Sequence, residues 1–411
     1  MKHFAILIDN QSKTDRLIQG LLSNQYSSEL STLNGKKGAI LSISEVARYL
    51  DEEERHHVKV LTKNHSQSLK SMSSGERKKA LLNHILVDSP DYLFLVNPYD
   101  NLDMRSQNDL KTRLERISKN TILIQLVSRI EDILPFTTDY FTFEQSNLVH
   151  YENKNALLEI NTKHSGHFDA TIPSPLQKIE IEYEELVVFN NISVSFNGKP
   201  VLKNIDWTIK KGSFWQLIGP NGSGKSTLLN MITGDSHKGY GQNLILFGNR
   251  KGSGESIWDI KKYIGYFTPS MTDKFKGYHT LENMLISGLH DSVGLYIKPT
   301  DIERKIALKW LELLGFNNKK DFYFHELSTG EKRLLMVTRA MIKHPPLLIL
   351  DEPTADLDDR NASFFIRLIN KIANETSSAI LYVSHRTENG LKPQFTYQLS
   401  MNENGSIGKI D

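Results

Sequence analysis

The sequence contains no cysteine, which excludes disulfide bonds, thiolate metal sites, iron–sulfur clusters and cysteine nucleophiles. It also has no apolar run approaching the about 18 residues that a membrane-spanning helix needs. The first apolar run, Phe4 to Ile8, meets Asp9 too early for a signal peptide. We therefore expect a reducing compartment, the cytoplasm by default, with any membrane span supplied by a separate chain.

Neither sign of charge is in excess. The 411 residues include 50 Lys+Arg and 48 Asp+Glu, which gives a formal net charge of +2. No global field therefore demands nucleic acid or an anionic membrane as a partner, although this does not exclude local patches. The length is sufficient for two or three domains of about 150 to 200 residues, each with its own core.

The most informative motif follows an apolar, strand-like run from Phe214 to Ile218. It has the P-loop pattern G-x-x-x-x-G-K-[ST] and consists of Gly219, Pro220, Asn221, Gly222, Ser223, Gly224, Lys225, Ser226 and Thr227. Its glycines let consecutive backbone N–H groups turn around an anion, and the helix that follows directs its positive end at phosphates. The motif predicts a nucleoside triphosphate site in which Lys225 reaches the β and γ oxygens and Ser226 ligates Mg²⁺.

A second apolar run, Leu347 to Leu350, ends in Asp351 and Glu352. This pattern is typical of a buried parallel strand that carries carboxylates at its C-terminal end. Upstream, the motif Leu327-Ser328-Thr329-Gly330-Glu331 precedes a helical stretch, and downstream another strand-like run ends at His385. In this order the motifs resemble those of an ATP-binding cassette (ABC) ATPase domain over about residues 182–411. In that family the strand ending in the two acids is called Walker B, and the motif Leu327 to Glu331 is called the signature. The resemblance implies an α/β fold, with ATP and Mg²⁺ as ligands.

The first half of the sequence repeats this layout. The repeated segments are, in chain order, Met72 to Lys79, Tyr92 to Pro98, Asn101 to Asp103 and Val127 to Arg129. The spacing of 23 residues from Gly75 to Pro98 equals that from Gly330 to Pro353. We therefore predict two tandem ABC-type P-loop ATPase domains, in residues 1–152 and 182–411, joined by a linker over residues 153–181. That linker contains Pro173 and Pro175 and reads as turn and extended segments.

The N-terminal domain is predicted to be truncated and degenerate. When Lys13 and Thr14 are aligned with the P-loop Lys and Ser, the glycine positions hold Leu7, Asn10 and Ser12. The positions of the Walker B aspartate, the catalytic glutamate and the histidine hold Val96, Asn97 and Arg129. The first half also begins at its P-loop strand and has no counterpart of the preceding sheet. A decaying duplicate that serves only as a scaffold is the alternative interpretation.

The family resemblance assigns roles to the remaining motifs. In ABC proteins each ATP lies between the P-loop of one cassette and the signature of the other, so one site would combine the second-half motifs with Ser73, Ser74 and Gly75. The other site would pair the Lys13 loop with the second-half signature and would be dead or weakly binding. At the competent site, Asp351 would hold Mg²⁺, usually through water, and Glu352 would orient or deprotonate the attacking water. The resemblance further implies that His385 contacts the γ-phosphate and that the aromatic ring of Phe196 stacks on adenine, whereas composition alone would favour a core Phe.

Two segments, Leu246 to Lys262 and Arg339 to Pro345, are similar to a group of tandem ABC proteins assigned to molybdate transport. Pro269 and Ser270 stand where most ABC ATPases have the Q-loop glutamine that connects ATP to a transport partner. Three hypotheses follow. The chain is an ATPase that drives or regulates a separate membrane permease, a tandem ABC protein that acts on ribosomes or nucleic acid, or a nucleotide-gated regulatory module. The short linker disfavours the second hypothesis, and the complete second-half motifs disfavour the third.

Overall fold

A computed structural model of the chain describes residues 1–9, 12, 14–23, 33, 35–63, 67–144, 147–163, 168, 170–275, 277–385 and 388–411. The chain forms two compact units. The first unit comprises Met1–Ser165 together with Asp356–Arg360, and the second comprises Gly166–Ala355 and Asn361–Asp411.

The described part of the first unit contains one α/β sheet. Its strands are β1 Phe4–Leu7, β2 Gly38–Leu41, β3 Tyr92–Val96, β4 Ile122–Val127, β5 Asp139–Glu144 and β6 Asn147–Tyr151. Its helices are α1 Thr14–Leu22, α2 Ile43–His56, α3 Ser74–Val87, α4 Met104–Ile117 and α5 Lys154–Lys163. The strand order is β2-β3-β4-β1-β5-β6, and every neighbouring pair is parallel except β5 and β6.

Buried apolar clusters cover both faces of this sheet. Alternate residues of a strand point to opposite faces, so neighbouring residues of one strand belong to different clusters. In β3, Phe94 belongs to a buried cluster that includes residues of α1. Its neighbours Leu93 and Leu95 belong to a second cluster that includes residues of α2, α3 and α4. This arrangement explains why β3 is apolar throughout rather than alternating in polarity.

The second unit contains a larger set of elements. Its strands are β7 Glu185–Phe196, β8 Lys199–Lys210, β9 Phe214–Ile218, β10 Leu244–Leu246, β11 Asn249–Arg250, β12 Ile264–Phe267, β13 Leu347–Asp351, β14 Ala379–Ser384, β15 Phe395–Ser400 and β16 Ile407–Ile410. Its helices are α6 Lys225–Ile232, α7 Ile257–Lys261, α8 Leu281–Leu289, α9 Asp301–Leu313, α10 Thr329–Met341 and α11 Asp359–Glu375, of which Asp359 and Arg360 belong to the first unit. The main sheet has the order β12-β13-β14-β9-β15-β16, which matches the order of the first sheet strand for strand.

An antiparallel sheet with the order β11-β10-β7-β8 packs against this main sheet. One buried cluster joins the two sheets and includes Trp207 of β8, Trp215 of β9 and Tyr397 of β15. The rings of Trp207 and Tyr397 are stacked with their centroids 4.4 Å apart. Among the described residues of the first unit there is no such antiparallel sheet.

The duplication extends to unusual backbone conformations. Asn97 and Glu352, which occupy equivalent positions after β3 and β13, have φ angles of 40° and 50°. Ser89 and His344, each eight residues earlier, have φ angles of 45° and 50°. Positive φ is uncommon for residues other than glycine, so this agreement is strong evidence of a shared template. The predicted α/β fold with two tandem domains is therefore confirmed.

The stretch predicted as a linker is partly helical. Residues Lys154–Lys163 form α5, whose Leu157 is buried against Val127 and Ile130 of the first unit. The prediction of turn and extended segments was wrong for Lys154–Lys163. The sequence pattern does not reveal this helix, because Leu157 becomes buried only by packing against the folded first unit. Residues 164–167 of the predicted linker lie outside the described residues, and the exact domain boundaries stay predictions.

No helix in the described ranges combines the length and the apolar character that crossing a membrane would require.

Candidate functional site

The site of the second unit lies at the C-terminal ends of three adjacent parallel strands. In the sheet β14 lies between β13 and β9, with Asp351 opposite Val383 and Ile218 opposite Ser384. The P-loop leaves β9, the two acids end and follow β13, and His385 follows β14. Ligands of α/β sheets bind outside the carboxyl ends of the strands, so the topology alone brings these motifs together.

The P-loop has the backbone that its sequence requires. Gly222 and Gly224 have φ angles of 78° and 96°, in the left-handed region that side chains disfavour. Gly224 immediately precedes α6, whose first residue is Lys225. The Nζ atom of Lys225 donates hydrogen bonds to the carbonyl oxygens of Gly219 at 2.7 Å and Pro220 at 3.0 Å, which holds the ammonium group at the loop.

The two left-handed glycines differ in their surroundings, which yields a first prediction. A Cβ atom added to Gly224 would lie 2.6 Å from Cδ2 of Leu202, whereas a Cβ at Gly222 would meet nothing within 4 Å. We expect Gly224→Ala to lower the free energy of unfolding by about 2 kcal/mol or more through strain and overpacking. The control Gly222→Ala should cost only about 1 kcal/mol.

Urea unfolding of the full chain, followed by tryptophan fluorescence, measures this difference. All four tryptophans, at positions 207, 215, 258 and 310, are in the same unit as the loop. Equal destabilisation by the two substitutions would contradict the predicted role of Leu202.

The two acids after β13 have different environments. Glu352 Oε1 lies 3.2 Å from Nδ1 of His385, and this contact lowers the pKa of the Glu352 carboxyl. Burial, followed by the nearby charge of Glu352, raises the pKa of Asp351 to about 6. The hydroxyl of Tyr266 donates to Oδ2 of Asp351 at 3.4 Å. A pair of acids with pKa values shifted in opposite directions is typical of a catalytic site.

The donor set fits Mg²⁺. The hydroxyl of Ser226 is on the first turn of α6, and the carboxylate of Asp351 ends the strand two positions from the P-loop strand. Hydroxyl and carboxylate oxygens are the ligands that Mg²⁺ prefers, and a divalent cation would compensate the buried negative charge of Asp351. When bound, the ion would neutralise charge on the phosphates.

Phe196 lies at a strand end of the antiparallel sheet. It ends β7 and pairs with Lys199 across the turn to β8, the strand whose Leu202 packs against Gly224 of the P-loop. Phe196 is 39% exposed. The ammonium group of Lys238 lies 5.1 Å from the ring centroid, close enough for a cation–π interaction.

Both signature motifs start a helix with the same capping box. Ser73 caps α3 and exchanges hydrogen bonds with Glu76, while Ser328 caps α10 and exchanges them with Glu331. Ser74 and Gly75 form the first turn of α3, so Ser73, Ser74 and Gly75 lie in the first unit at a helix N-terminus. The first half has therefore kept the local structure of its signature.

The first unit has kept the backbone of its other motifs but not their chemistry. Asn97 accepts hydrogen bonds at Oδ1 from the backbone N–H of Ser128 at 2.9 Å and from its hydroxyl at 3.2 Å. Within the same unit, Nε of Arg129 donates to the carbonyl oxygen of Leu357 at 2.6 Å. These side chains stabilise loops where the second unit has its carboxylate and imidazole. Asn10 and Lys13 lie outside the described residues, so the degenerate P-loop stays a prediction.

Sequence reasoning did not find three residues in or beside the predicted site. They are Tyr266, which bonds Asp351, and the pair Thr354 and Glu388, which bond each other and follow Glu352 and His385 by two and three residues in the chain. The order of motifs along the chain carries no signal for Tyr266, because β12 becomes a neighbour of β13 only in the folded sheet.

Comparison with known proteins agrees with this geometry. The family model described as ABC transporter matches residues 202–355. The chain is 38% identical over 330 residues to the ABC transporter ATP-binding protein ModF of Escherichia coli, which covers 78% of this chain and 67% of that protein. It is 30% identical over 325 residues to the uncharacterized ABC transporter ATP-binding protein C323.04 of Schizosaccharomyces pombe, over 77% and 66% of the two chains. The chain therefore spans about two thirds of the length of these two relatives.

Solved structures show the same fold over nearly the whole chain. The archaeal ribosome recycling factor aABCE1, in complex with the ribosomal stalk protein aP1, aligns with a TM-score of 0.65 and 15% identity. The alignment covers 99% of this chain and 85% of that one, and the structure described as RNase-L Inhibitor gives the same values. At this identity the likeness concerns the fold alone. On the sequence relationship to ModF and on the family match, the chain belongs to the family of ABC transporter ATP-binding proteins and is an ABC-type ATPase.

Proposed function

We propose that the chain hydrolyses ATP at a single site in the second unit, with Mg²⁺ as cofactor. The contact between Glu352 and His385 beside the P-loop carries this proposal, because it supplies an ionised carboxylate at the end of β13. The first unit has Asn97 and Arg129 at these two positions and therefore has neither group.

The residues of the proposed site have separate tasks. The P-loop amides and Lys225 compensate charge on the β- and γ-phosphates, and Ser226 and Asp351 hold the metal. Glu352 accepts a proton from the attacking water or orients it, and His385 holds the carboxylate and contacts the γ-phosphate. Phosphoryl transfer needs little covalent chemistry from a protein, so positioned charges of this kind are sufficient.

We also propose that Ser73, Ser74 and Gly75 of the first unit act on the same nucleotide, as the family resemblance implies. The retained capping box of Ser73 and Glu76 supports this, since it preserves the helix N-terminus that would face a phosphate. Ser74 and its counterpart Thr329 are both exposed and both begin a helix, so they form a matched pair.

Replacement by arginine, which adds a bulky, positively charged side chain, should have different effects at Ser74 and at Thr329. We expect Ser74→Arg to lower the rate of ATP hydrolysis about tenfold or more, because misplaced phosphate contacts have large effects on rate. Thr329→Arg should leave the rate within about twofold, since the signature in which it lies would serve the degenerate P-loop. A steady-state phosphate-release assay measures both, and an equal loss in both variants would contradict the single-site proposal.

Phe196 is proposed to stack on the adenine base. We expect Phe196→Ala to weaken ATP binding about tenfold, which corresponds to the loss of one base–aromatic stacking contact. Binding of inorganic triphosphate, which has no base, should be unchanged. The matched control is Tyr296→Ala, which removes another aromatic side chain that is 81% exposed in the same unit. Equal losses for ATP and triphosphate in a calorimetric titration would show that Phe196 only supports the fold.

The proposed cellular process is membrane transport, in which the chain drives or regulates a separate permease from the cytoplasm, where ATP is supplied. The sequence relationship to ModF supports transport, and the name of that relative's group suggests molybdate as the transported species. The absence of a glutamine at Ser270 makes regulation or an unusual coupling contact as compatible with the sequence as standard permease coupling.

Affinity capture with an ATP-trapped Glu352→Gln chain tests this process. Recovery of a membrane permease that depends on ATP would support the proposal, with Lys225→Met as the control that cannot retain the nucleotide. Recovery of ribosomal subunits without a permease would contradict it and favour the alternative that the aABCE1 structures represent. Recovery of neither would favour a nucleotide-gated regulatory module.

A further inference from the structure

A buried polar network involves residues that are close in the chain to Glu352 and His385 of the second unit. It consists of Thr354, Tyr382 and Glu388, which are 2%, 0% and 7% exposed. The hydroxyl of Thr354 donates to Oε1 of Glu388 and lies 2.9 Å from the hydroxyl of Tyr382. Burial of a carboxylate destabilises the folded state unless the carboxylate is hydrogen-bonded, and here Glu388 accepts a hydrogen bond from Thr354.

The direction of these hydrogen bonds is fixed by counting protons. A threonine hydroxyl has one hydrogen and can accept from other groups. Because Thr354 donates its hydrogen to Glu388, the hydroxyl of Tyr382 must be the donor in its bond to Thr354. The chain of bonds therefore runs from the centre of β14 through Thr354 to Glu388.

The network connects the two loops that carry the proposed chemistry. Thr354 is two residues after Glu352, and Glu388 is three residues after His385. On its other side, the Thr354 loop is held by Arg333, whose Nη1 donates to the carbonyl oxygen of Pro353 at 3.0 Å. The bond between Thr354 and Glu388 thus restrains the separation of the loops across which Glu352 and His385 approach to 3.2 Å.

We propose that Thr354 and Glu388 are positioning residues that hold His385 against Glu352. Thr354 and Glu388 closely follow Glu352 and His385 in the chain, so they act through the loops. The expected effect on kcat rests on the proposed function. The expected position of His385 does not, because it can be observed without hydrolysis.

The test uses isosteric and conservative variants of the full chain. We expect Thr354→Val, which removes the donated hydrogen, to lower kcat about 10- to 100-fold while the Kd for ATP changes less than threefold. Thr354→Ser keeps the hydroxyl and should retain most of kcat. Glu388→Gln keeps an oxygen acceptor and should be close to the parent, whereas Glu388→Leu should resemble Thr354→Val. The double variant with Thr354→Val and Glu388→Leu should be no worse than the worse single variant, because both remove one bond.

A spectroscopic readout separates this inference from the proposed function. The imidazole signals of His385 in labelled protein, assigned by their loss in His385→Ala, should shift in Thr354→Val and Glu388→Leu and stay in place in Thr354→Ser. If the parent chain shows no ATP hydrolysis, the proposed function fails and the His385 signals alone decide the inference.

Two results would overturn the positioning role. One is a folded Thr354→Val chain with kcat within twofold of the parent and unshifted His385 signals. The other is a parallel loss of kcat and ATP affinity in both Thr354→Val and Thr354→Ser, which would indicate a purely structural residue. Should Thr354→Val fail to fold, Glu388→Leu and Glu388→Gln test the same bond from its other end.

Discussion

Replacement of Glu352 by glutamine should lower the rate of ATP hydrolysis by about 10²-fold or more, the usual contribution of a general base. The amide keeps the size of the side chain and an oxygen that can face His385, which lies 3.2 Å from Oε1 in the structure. Nucleotide affinity should therefore be retained. Single-turnover phosphate release and equilibrium binding of a fluorescent ATP analogue measure the two quantities independently.

The first unit provides a matched control. Asn97 has the same backbone conformation as Glu352, with φ angles of 40° and 50°. The substitution Asn97→Asp introduces a carboxylate there and keeps the oxygen that accepts from Ser128. We expect its rate within about twofold of the parent. Residual hydrolysis near the parental rate in Glu352→Gln would show that another group activates the water, and a large loss in Asn97→Asp would show that the first unit participates in chemistry.

Replacement of Lys225 by methionine should weaken ATP binding about 10²-fold. The Nζ atom of Lys225 is held at the loop by the carbonyl oxygens of Gly219 and Pro220, so it is pre-positioned for phosphate oxygens. Hydrogen bonds to charged groups contribute about 1.5–3 kcal/mol each, and methionine keeps the length of the side chain without any donor. Isothermal titration with ATP measures the affinity directly.

Removal of a lysine charge elsewhere in the second unit should have little effect on ATP binding. Lys203 is exposed on β8, and Lys203→Met is expected to leave the Kd for ATP within about twofold. A titration in buffer without Mg²⁺ provides a second comparison, because loss of the metal and loss of Lys225 remove different charges from the phosphates. Unchanged affinity in Lys225→Met would contradict the assignment of this loop as the phosphate site.

The sequence was sufficient to predict the tandem fold and to locate the motifs that come together in the second unit. This succeeded because each motif is contiguous and is tied to the end of a recognisable strand. Asp351 and Glu352 follow an apolar run that is buried along its length, and His385 follows another. Parallel neighbours then place these ends at one edge of the sheet.

Contacts between segments distant in the sequence could not be predicted in this way. The approach of Tyr266 to Asp351 depends on the strand order, and the bond between Thr354 and Glu388 depends on the path of two loops. The helix α5 was missed because it is short, and because its buried residue Leu157 is stabilised by packing against the first unit, which periodicity does not reveal. Tertiary packing decides such cases, and propensity is a weak guide.

Positions 97 and 352 share a left-handed backbone conformation, but the strain that it causes differs between the two halves. Asparagine occupies this region readily, whereas a glutamate there carries about 1 kcal/mol or more of backbone strain. The second unit has this unfavourable residue at the point where we propose that a carboxylate acts, and the first unit has at the same point a residue that suits the backbone. Thermal stability and hydrolysis are therefore opposed at position 352: an asparagine there should make the second unit more resistant to heat at the same time as it makes it inactive.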